Sequence, residues 1–159
     1  MMLIQRDDAK YMGLALKEAE KAFEAGEVPV GAIIVIDGHV IAKAHNQVEL
    51  LKDATAHAEI LAITQASSHV RDWRLSNATM YVTKEPCAMC AGAMVNSRLQ
   101  KVIFGASDSQ YGAAGSALDV TGFDGNLHQV DIVSGVLADD CISMLQRFFR
   151  IRRQQNKLK

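Results

Sequence analysis

The chain has no uninterrupted apolar run long enough to cross a bilayer, which excludes a membrane-spanning helix. Its opening residues, MMLIQRDDAK, pass from a few apolar positions straight to charges and do not make a signal peptide. The expectation is therefore a cytoplasmic protein with reduced thiols. Three cysteines is an odd number, and two of them sit as Cys87-x-x-Cys90, which in a cytosolic chain suggests a metal or redox site before a disulfide. No repeat, low-complexity stretch or linker divides the sequence, so residues 1–159 read as one domain around one core. One segment lacks acidic residues altogether. Arg147 to Lys159 holds six of the 17 basic residues, leaving 11 against 18 acidic residues elsewhere. The net charge of −1 thus hides a basic end on an acidic body. Two readings fit that end: a contact with a polyanion, or a solvated helix terminus favoured by the helix dipole.

What is present alternates between helical and strand patterns. Asp7 or Asp8 is placed to cap a first helix to about Ala25, with Met12, Leu16, Ala19 and Phe23 on one face. Gly26 fits its stop. Val28 to Ile36 is apolar and rich in β-branched residues, so it reads as a buried strand. Asp37-Gly38 is a hairpin turn, and His39 to Ala44 returns antiparallel. Thr55 is placed to cap a second helix to about Ser67. Further strands are expected at Ala78–Thr83, Lys101–Ala106 and Val130–Ser134. Helices are expected from near Cys87 to near Ser97, and from Ala138 to about Gln155. The pattern predicts an α/β fold, a three-layer α/β/α sandwich around a mixed five-stranded sheet. Between Gly105 and Gly125 lies a long glycine-containing stretch, a length that usually marks a functional loop.

Two short segments carry chemistry. Thr55-Ala56-His57-Ala58-Glu59 and Glu85-Pro86-Cys87-Ala88-Met89-Cys90 each follow a loop and open a helix. A helix N-terminus is electropositive and favours thiolate over thiol, which predisposes Cys87 and Cys90 to bind metal. One His and two Cys give three ligands, and four-coordinate zinc then keeps one position open for water. Zinc lowers the pKa of that water toward ~7. Glu59 is a carboxylate beside a ligand but not needed by the metal, and it is suited to move a proton. Residues two apart on a regular helix do not share a face. His57 must therefore lie in the first turn or before it if Glu59 is to reach the same water.

Other readings exist for these residues. A Cys-x-x-Cys pair alone fits a redox site, but that leaves His57-Ala58-Glu59 unexplained. A closed structural zinc site needs a fourth ligand, for which Cys141 is the spare cysteine. Cys141 lies four and seven residues before Leu145 and Phe148, the spacing of a core-facing stripe. Aromatic residues at the spacing of Phe148 and Phe149 are more often core, and Phe148 is expected inside.

With these motifs in place, the sequence resembles the bacterial tRNA-specific adenosine deaminases from about Asp8 to about Gln155. The zinc motifs are joined by Val28-Pro29-Val30-Gly31-Ala32, His45-Asn46, Ala91-Gly92-Ala93-Met94 and Phe104-Gly105-Ala106. Gly112-Ala113-Ala114-Gly115-Ser116 and Phe148-Phe149-Arg150 with Arg152-Arg153 complete the set. The resemblance implies a cytidine deaminase-like fold, a homodimer and one zinc per chain. It implies hydrolysis of adenosine to inosine at the wobble position of a tRNA anticodon. His57, Cys87 and Cys90 would hold the metal, and Glu59 would relay the proton. Asn46 would hydrogen-bond the purine, Asp108 would lie near the ribose and backbone, and Ala58 and Glu85 would contact substrate. Arg150, Arg152, Arg153 and Phe149 would meet the anticodon stem-loop, which favours the polyanion reading of the tail. Two departures stand out. Ala54 replaces a frequent Pro, leaving Asp53 to Thr55 less rigid. Lys84 replaces an apolar residue and would either add a phosphate contact or point to water. The alternative function is deamination of free bases or nucleosides, for which the basic end has no use. A third reading, an inactive RNA-binding partner subunit, sits poorly with an intact Glu59.

Overall fold

The structure is a computed structural model that describes residues 2–159, with side chains from Asp7 onward. It contains α1 (Met2–Glu24), β1 (Gly31–Ile36), β2 (His39–His45), α2 (Val48–Leu51) and α3 (Ala58–Val70). These are followed by β3 (Thr79–Lys84), α4 (Ala88–Asn96), β4 (Lys101–Ala106), β5 (Asp131–Ser134) and α5 (Ala138–Lys157). The sheet order is β2-β1-β3-β4-β5. β1 runs antiparallel to both β2 and β3, whereas β3, β4 and β5 are mutually parallel. The expected mixed five-stranded sheet is therefore observed.

The period of two along each strand divides the core into two layers. Ala32, Ile34, Met80, Val82, Val102 and Phe104 face α3 and α4, packing on Ala62, Ala66, Met94 and Val95. The intervening Ile33, Val35, Tyr81 and Ile103 face the other way, against Met12 and Ala15 of α1 and Cys141 of α5. Both faces of the central strands are buried, which is why those strands read as continuous apolar runs rather than alternating ones. Gly31 lets α1 lie directly on β1: a Cβ there would come within 2.0 Å of the Ala15 carbonyl oxygen. The hairpin turns on Asp37 (φ 49°) and Gly38 (φ 75°), the positive dihedrals that a two-residue turn with right-handed strand twist requires.

Several boundaries differ from the sequence expectation. α1 begins at Met2, so Asp7 and Asp8 are inside the helix, not caps. Asp8 instead accepts a hydrogen bond from the Tyr81 hydroxyl at 2.7 Å. β1 begins only at Gly31, because the chain before it makes a tight turn in which the Val30 N–H donates to the Val28 carbonyl at 2.8 Å. Thr55 does not cap α3. The cap is His57, while Thr55 folds back on the Asp53 carboxylate through its N–H at 2.8 Å and its hydroxyl at 2.7 Å. That turn holds Asp53–Thr55 without the proline. The strand expected at Lys101–Ala106 is found with those bounds, and α5 presses the Cys141 side chain against its Gly105.

Candidate active site

The parallel strand β3 ends at Lys84, and the chain passes through Glu85 and Pro86 into α4. Cys87 is the N-cap of α4, with extended backbone (φ −73°, ψ 176°), and Cys90 is three residues on. His57 is the N-cap of the neighbouring α3, also extended (φ −73°, ψ 150°). The geometric condition set by the His-x-Glu spacing is thereby met. His57 stands outside the helical turn, and Glu59 follows as the second residue within it. Two helix N-termini and the carboxyl end of β3 meet at one place, the edge at which open α/β sheets bind ligands.

His57, Cys87 and Cys90 bring their ligand atoms within 4.8 Å of one another, the one such group of three found among the described residues. The His57 Nδ1 lies 3.6 Å from the Cys87 Sγ and 3.5 Å from the Cys90 Sγ. A nitrogen and a sulfur bound tetrahedrally to zinc at roughly 2.1 and 2.3 Å stand about 3.6 Å apart, so the donor set fits that ion in type and spacing. Cys141 is excluded as a fourth ligand, because it is buried in the layer on the opposite face of the sheet. Within the cluster the Cys87 thiol is held far below the usual thiol range, first by the Cys90 thiol and then by His57. The hydrogen bond to Cys87 in turn raises His57 above its ordinary value.

A cleft of about 180 Å³ lies over the cluster, lined by Val28, Val30, Asn46, His57, Ala58, Glu59, Lys84, Glu85 and Cys87. The Glu59 carboxyl is buried, and burial pushes its pKa up. Asn46 is also buried. Its amide nitrogen donates to the Val28 carbonyl at 3.4 Å, and its Oδ1 has no hydrogen-bond partner among the described residues. A buried acceptor left open costs free energy unless a ligand completes it. Val28 and Val30, read from the sequence as strand, supply the apolar wall.

The Glu85 side chain is turned to the glycine-containing loop. It accepts hydrogen bonds from the N–H groups of Asp108, Ala114 and Ser116, each at 3.1 Å, and from the Ser116 hydroxyl. Gly112 makes room for it, since a Cβ there would lie 2.4 Å from the Glu85 Cδ. Asp108 heads this loop. One of its oxygens accepts from the N–H groups of Gln110 (2.9 Å) and Tyr111 (3.1 Å), and the other from the Lys84 ammonium at 2.8 Å. Burial acts to raise the Asp108 pKa, but Lys84 and the two N–H groups outweigh it, and the net shift is downward. Lys84 thus does not simply point to water: it forms an ion pair on the cleft wall. The sequence contained no signal for that pair, which joins residues 24 apart.

At the C-terminal end, Phe148 is buried edge-on to Phe23 and Phe149, while Phe149 stays 42% exposed. The three arginines are not equivalent. Arg152 lies over Phe148 at 5.0 Å and donates to the Gly26 carbonyl at 2.7 Å. Arg150 and Arg153 are exposed, with no hydrogen bond or ion pair among the described residues. Phe149, Arg150, Arg153 and Lys157 recur at spacings that put them on one outward face of α5.

A three-layer α/β/α sandwich with a His/Cys/Cys cluster and a buried carboxyl at the helix starts has the build of a cytidine deaminase-like enzyme. The chain belongs to the MafB19-like deaminase family, whose model matches residues 6–153. The chain is similar to the tRNA-specific adenosine deaminase of Bacillus subtilis strain 168, at 49% identity over 94% of this chain and 93% of that one. A solved structure from work on A-to-I editing by tRNA:A34 deaminases at the wobble position of transfer RNA superposes with a TM-score of 0.83. It is 40% identical and covers 86% of this chain and 99% of that chain. The guanine deaminase of Nitrosomonas europaea shares the fold, with a TM-score of 0.76 at 21% identity over 88% of this chain and 83% of that one.

Proposed function

We propose that the chain hydrolyses adenosine to inosine at the wobble position of a tRNA anticodon, consuming one water and releasing one ammonia. The observation that carries the chemistry is the meeting of His57, Cys87 and Cys90 under a cleft whose wall holds the buried Glu59 carboxyl. The relatives' tRNA specificity and the outward basic face of α5 support the choice of substrate. A deaminase of free guanine or cytosine shares the fold but has no use for such a face.

His57, Cys87 and Cys90 are the ligands that would hold one zinc per chain. Bound there, zinc supplies a Lewis acid that brings the pKa of a water toward ~7. Glu59 accepts a proton from the attacking water and delivers it to the adenine ring nitrogen, then takes the proton of the hydroxyl formed on the ring carbon and passes it to the amine, which leaves as ammonia. Asn46 completes its open Oδ1 against the base, and Ala58 with Val28 and Val30 packs on the purine ring. Asp108 lies toward the ribose and backbone, and Glu85 serves the site by holding the loop that carries Asp108. A base in an anticodon loop is already unpaired, so extruding it into this cleft costs less than from a duplex.

Phe149, Arg150 and Arg153 meet the stem-loop, while Arg152 holds α5 in place. The enzyme acts as a single-domain chain paired in a cytoplasmic homodimer. The exposed Leu50, Leu51, Leu118 and Phe123 support pairing, since they leave apolar surface for a second copy to cover. The test is a substrate panel: an adenosine-containing anticodon stem-loop, free adenosine, guanine and cytidine. Inosine in the stem-loop, with an equimolar release of ammonia, is the expected result. Turnover of guanine or cytidine with the stem-loop untouched would replace this function with the free-base one.

A further inference from the structure

We propose that Lys84 is a specificity residue whose ammonium takes a backbone phosphate beside the target nucleotide, so that the cleft favours a base carried in an RNA strand. This inference rests on the RNA-directed reading above. Val28, Val30, Ala58 and Asn46 line the cleft, and none of these carries a charge. Of the two lining carboxylates, Glu59 is buried beside the metal ligands and Glu85 is fully engaged by the loop. Apart from the ligand His57, Lys84 is the one cationic side chain in the lining.

Its placement is specific. Lys84 is the last residue of β3, three before Cys87, and its side chain is 31% exposed where its partner Asp108 is 14% exposed. An ammonium has three N–H donors. One goes to Asp108 at 2.8 Å, and the described residues offer no second partner. Asp108 meanwhile has the N–H groups of Gln110 and Tyr111 on its other oxygen, so it stays satisfied when Lys84 is shared. The result is an ammonium already fixed at the rim with two donors left for an anion. The rotamer freedom of the lysine is lost on folding, not on binding, which is the gain of preorganisation. The pair carries no net charge, so Lys84 acts at contact range and not through a long-range field. A free base has no phosphate to offer it, and a nucleotide within a strand has one on each side.

The experiment is a double-mutant cycle between protein and RNA. Binding is measured with an inosine-containing stem-loop, the reaction product, so that no turnover intervenes. A second RNA carries a neutral methylphosphonate linkage on one side of the inosine, and a third carries it on the other side. For the wild-type protein, one of the two replacements should weaken binding by about 10-fold, the size of one charge-assisted hydrogen bond. For Lys84→Met the same replacement should change nothing, and Lys84→Arg should restore the loss. If Lys84 only supports the loop, Lys84→Met weakens all three RNAs equally and the cycle shows no coupling; that result overturns the proposal. Conversion of adenosine by the wild-type enzyme is read separately, so a failure of the substrate reading is distinguishable from a failure of Lys84.

Discussion

The Arg152 guanidinium donates to the carbonyl of Gly26 at 2.7 Å and ties the end of α5 to the turn after α1. That turn leads within two residues to Val28 on the cleft wall. Arg152→Ala is therefore expected to act on stability. It removes one hydrogen bond and the stacking on Phe148, together on the order of 1 kcal/mol at this exposed site. In a chain of this length that lowers Tm by roughly 2–4 °C. Arg150→Ala and Arg153→Ala should leave Tm in place and each reduce the slope of log affinity against log salt by about 0.7. Melting curves and salt titrations of the three variants separate the roles. An Arg152→Ala protein with unchanged Tm and a reduced salt slope would return Arg152 to the RNA face.

Glu85→Gln should loosen the loop that heads with Asp108. The carboxylate accepts from three backbone N–H groups and a hydroxyl, and an amide in its place turns an NH2 toward those donors. An unsatisfied buried donor costs about 1–3 kcal/mol. Hydrogen exchange at Ala114 and Ser116 should accelerate accordingly, and protection equal to wild type would show that the loop is held by something else.

Gly112→Ala probes the same contact from the other side. A methyl group there would fall 2.4 Å from both the Asp108 carbonyl oxygen and the Glu85 Cδ, so backbone must move. Overpacking of this kind costs about 1–3 kcal/mol. The expected outcome is a lower Tm together with lost activity. A variant as stable and active as wild type would mean that the loop has room that the structure does not show.

Removal of the metal tests the His57, Cys87 and Cys90 set. Protein purified without chelator should hold about one zinc per chain by elemental analysis. Prolonged chelation should abolish turnover, and added zinc should restore it. His57→Ala should lower the zinc content as well as the rate. Full activity in metal-free protein would remove the cluster from the chemistry.

The legible parts of this protein were those set by local chemistry. That His57, Cys87, Cys90 and Glu59 belong together was readable from spacing and helix-start position, and the requirement that His57 precede its helix is met by its N-cap backbone. β4 and the apolar runs of the central strands were readable because both faces of the sheet are covered. Cys141 and Phe148 were placed in the core by their stripe, and both are buried. The parts missed depend on distant partners. The single turn α2 is capped by Glu27, 22 and 23 residues away, whose carboxylate accepts from the N–H groups of Glu49 and Leu50. The Lys84–Asp108 pair and the Arg152–Gly26 tie likewise join residues whose proximity only the folded sheet creates. Val28 and Val30 looked like strand because cleft walls and sheets favour the same β-branched side chains.

We propose that the buried Glu59 carboxyl moves the proton beside His57, Cys87 and Cys90 when adenosine in RNA is deaminated. The most direct measurement compares wild type with Glu59→Gln, a change that keeps shape and removes the titrating group. Both proteins are first matched for zinc content, then given the adenosine-containing stem-loop, and inosine is counted after digestion to nucleosides. The wild type should convert the stem-loop, and the variant should hold its zinc yet lose at least ~10²-fold in rate. A zinc-loaded Glu59→Gln enzyme that forms inosine at a near-normal rate would contradict that role for Glu59.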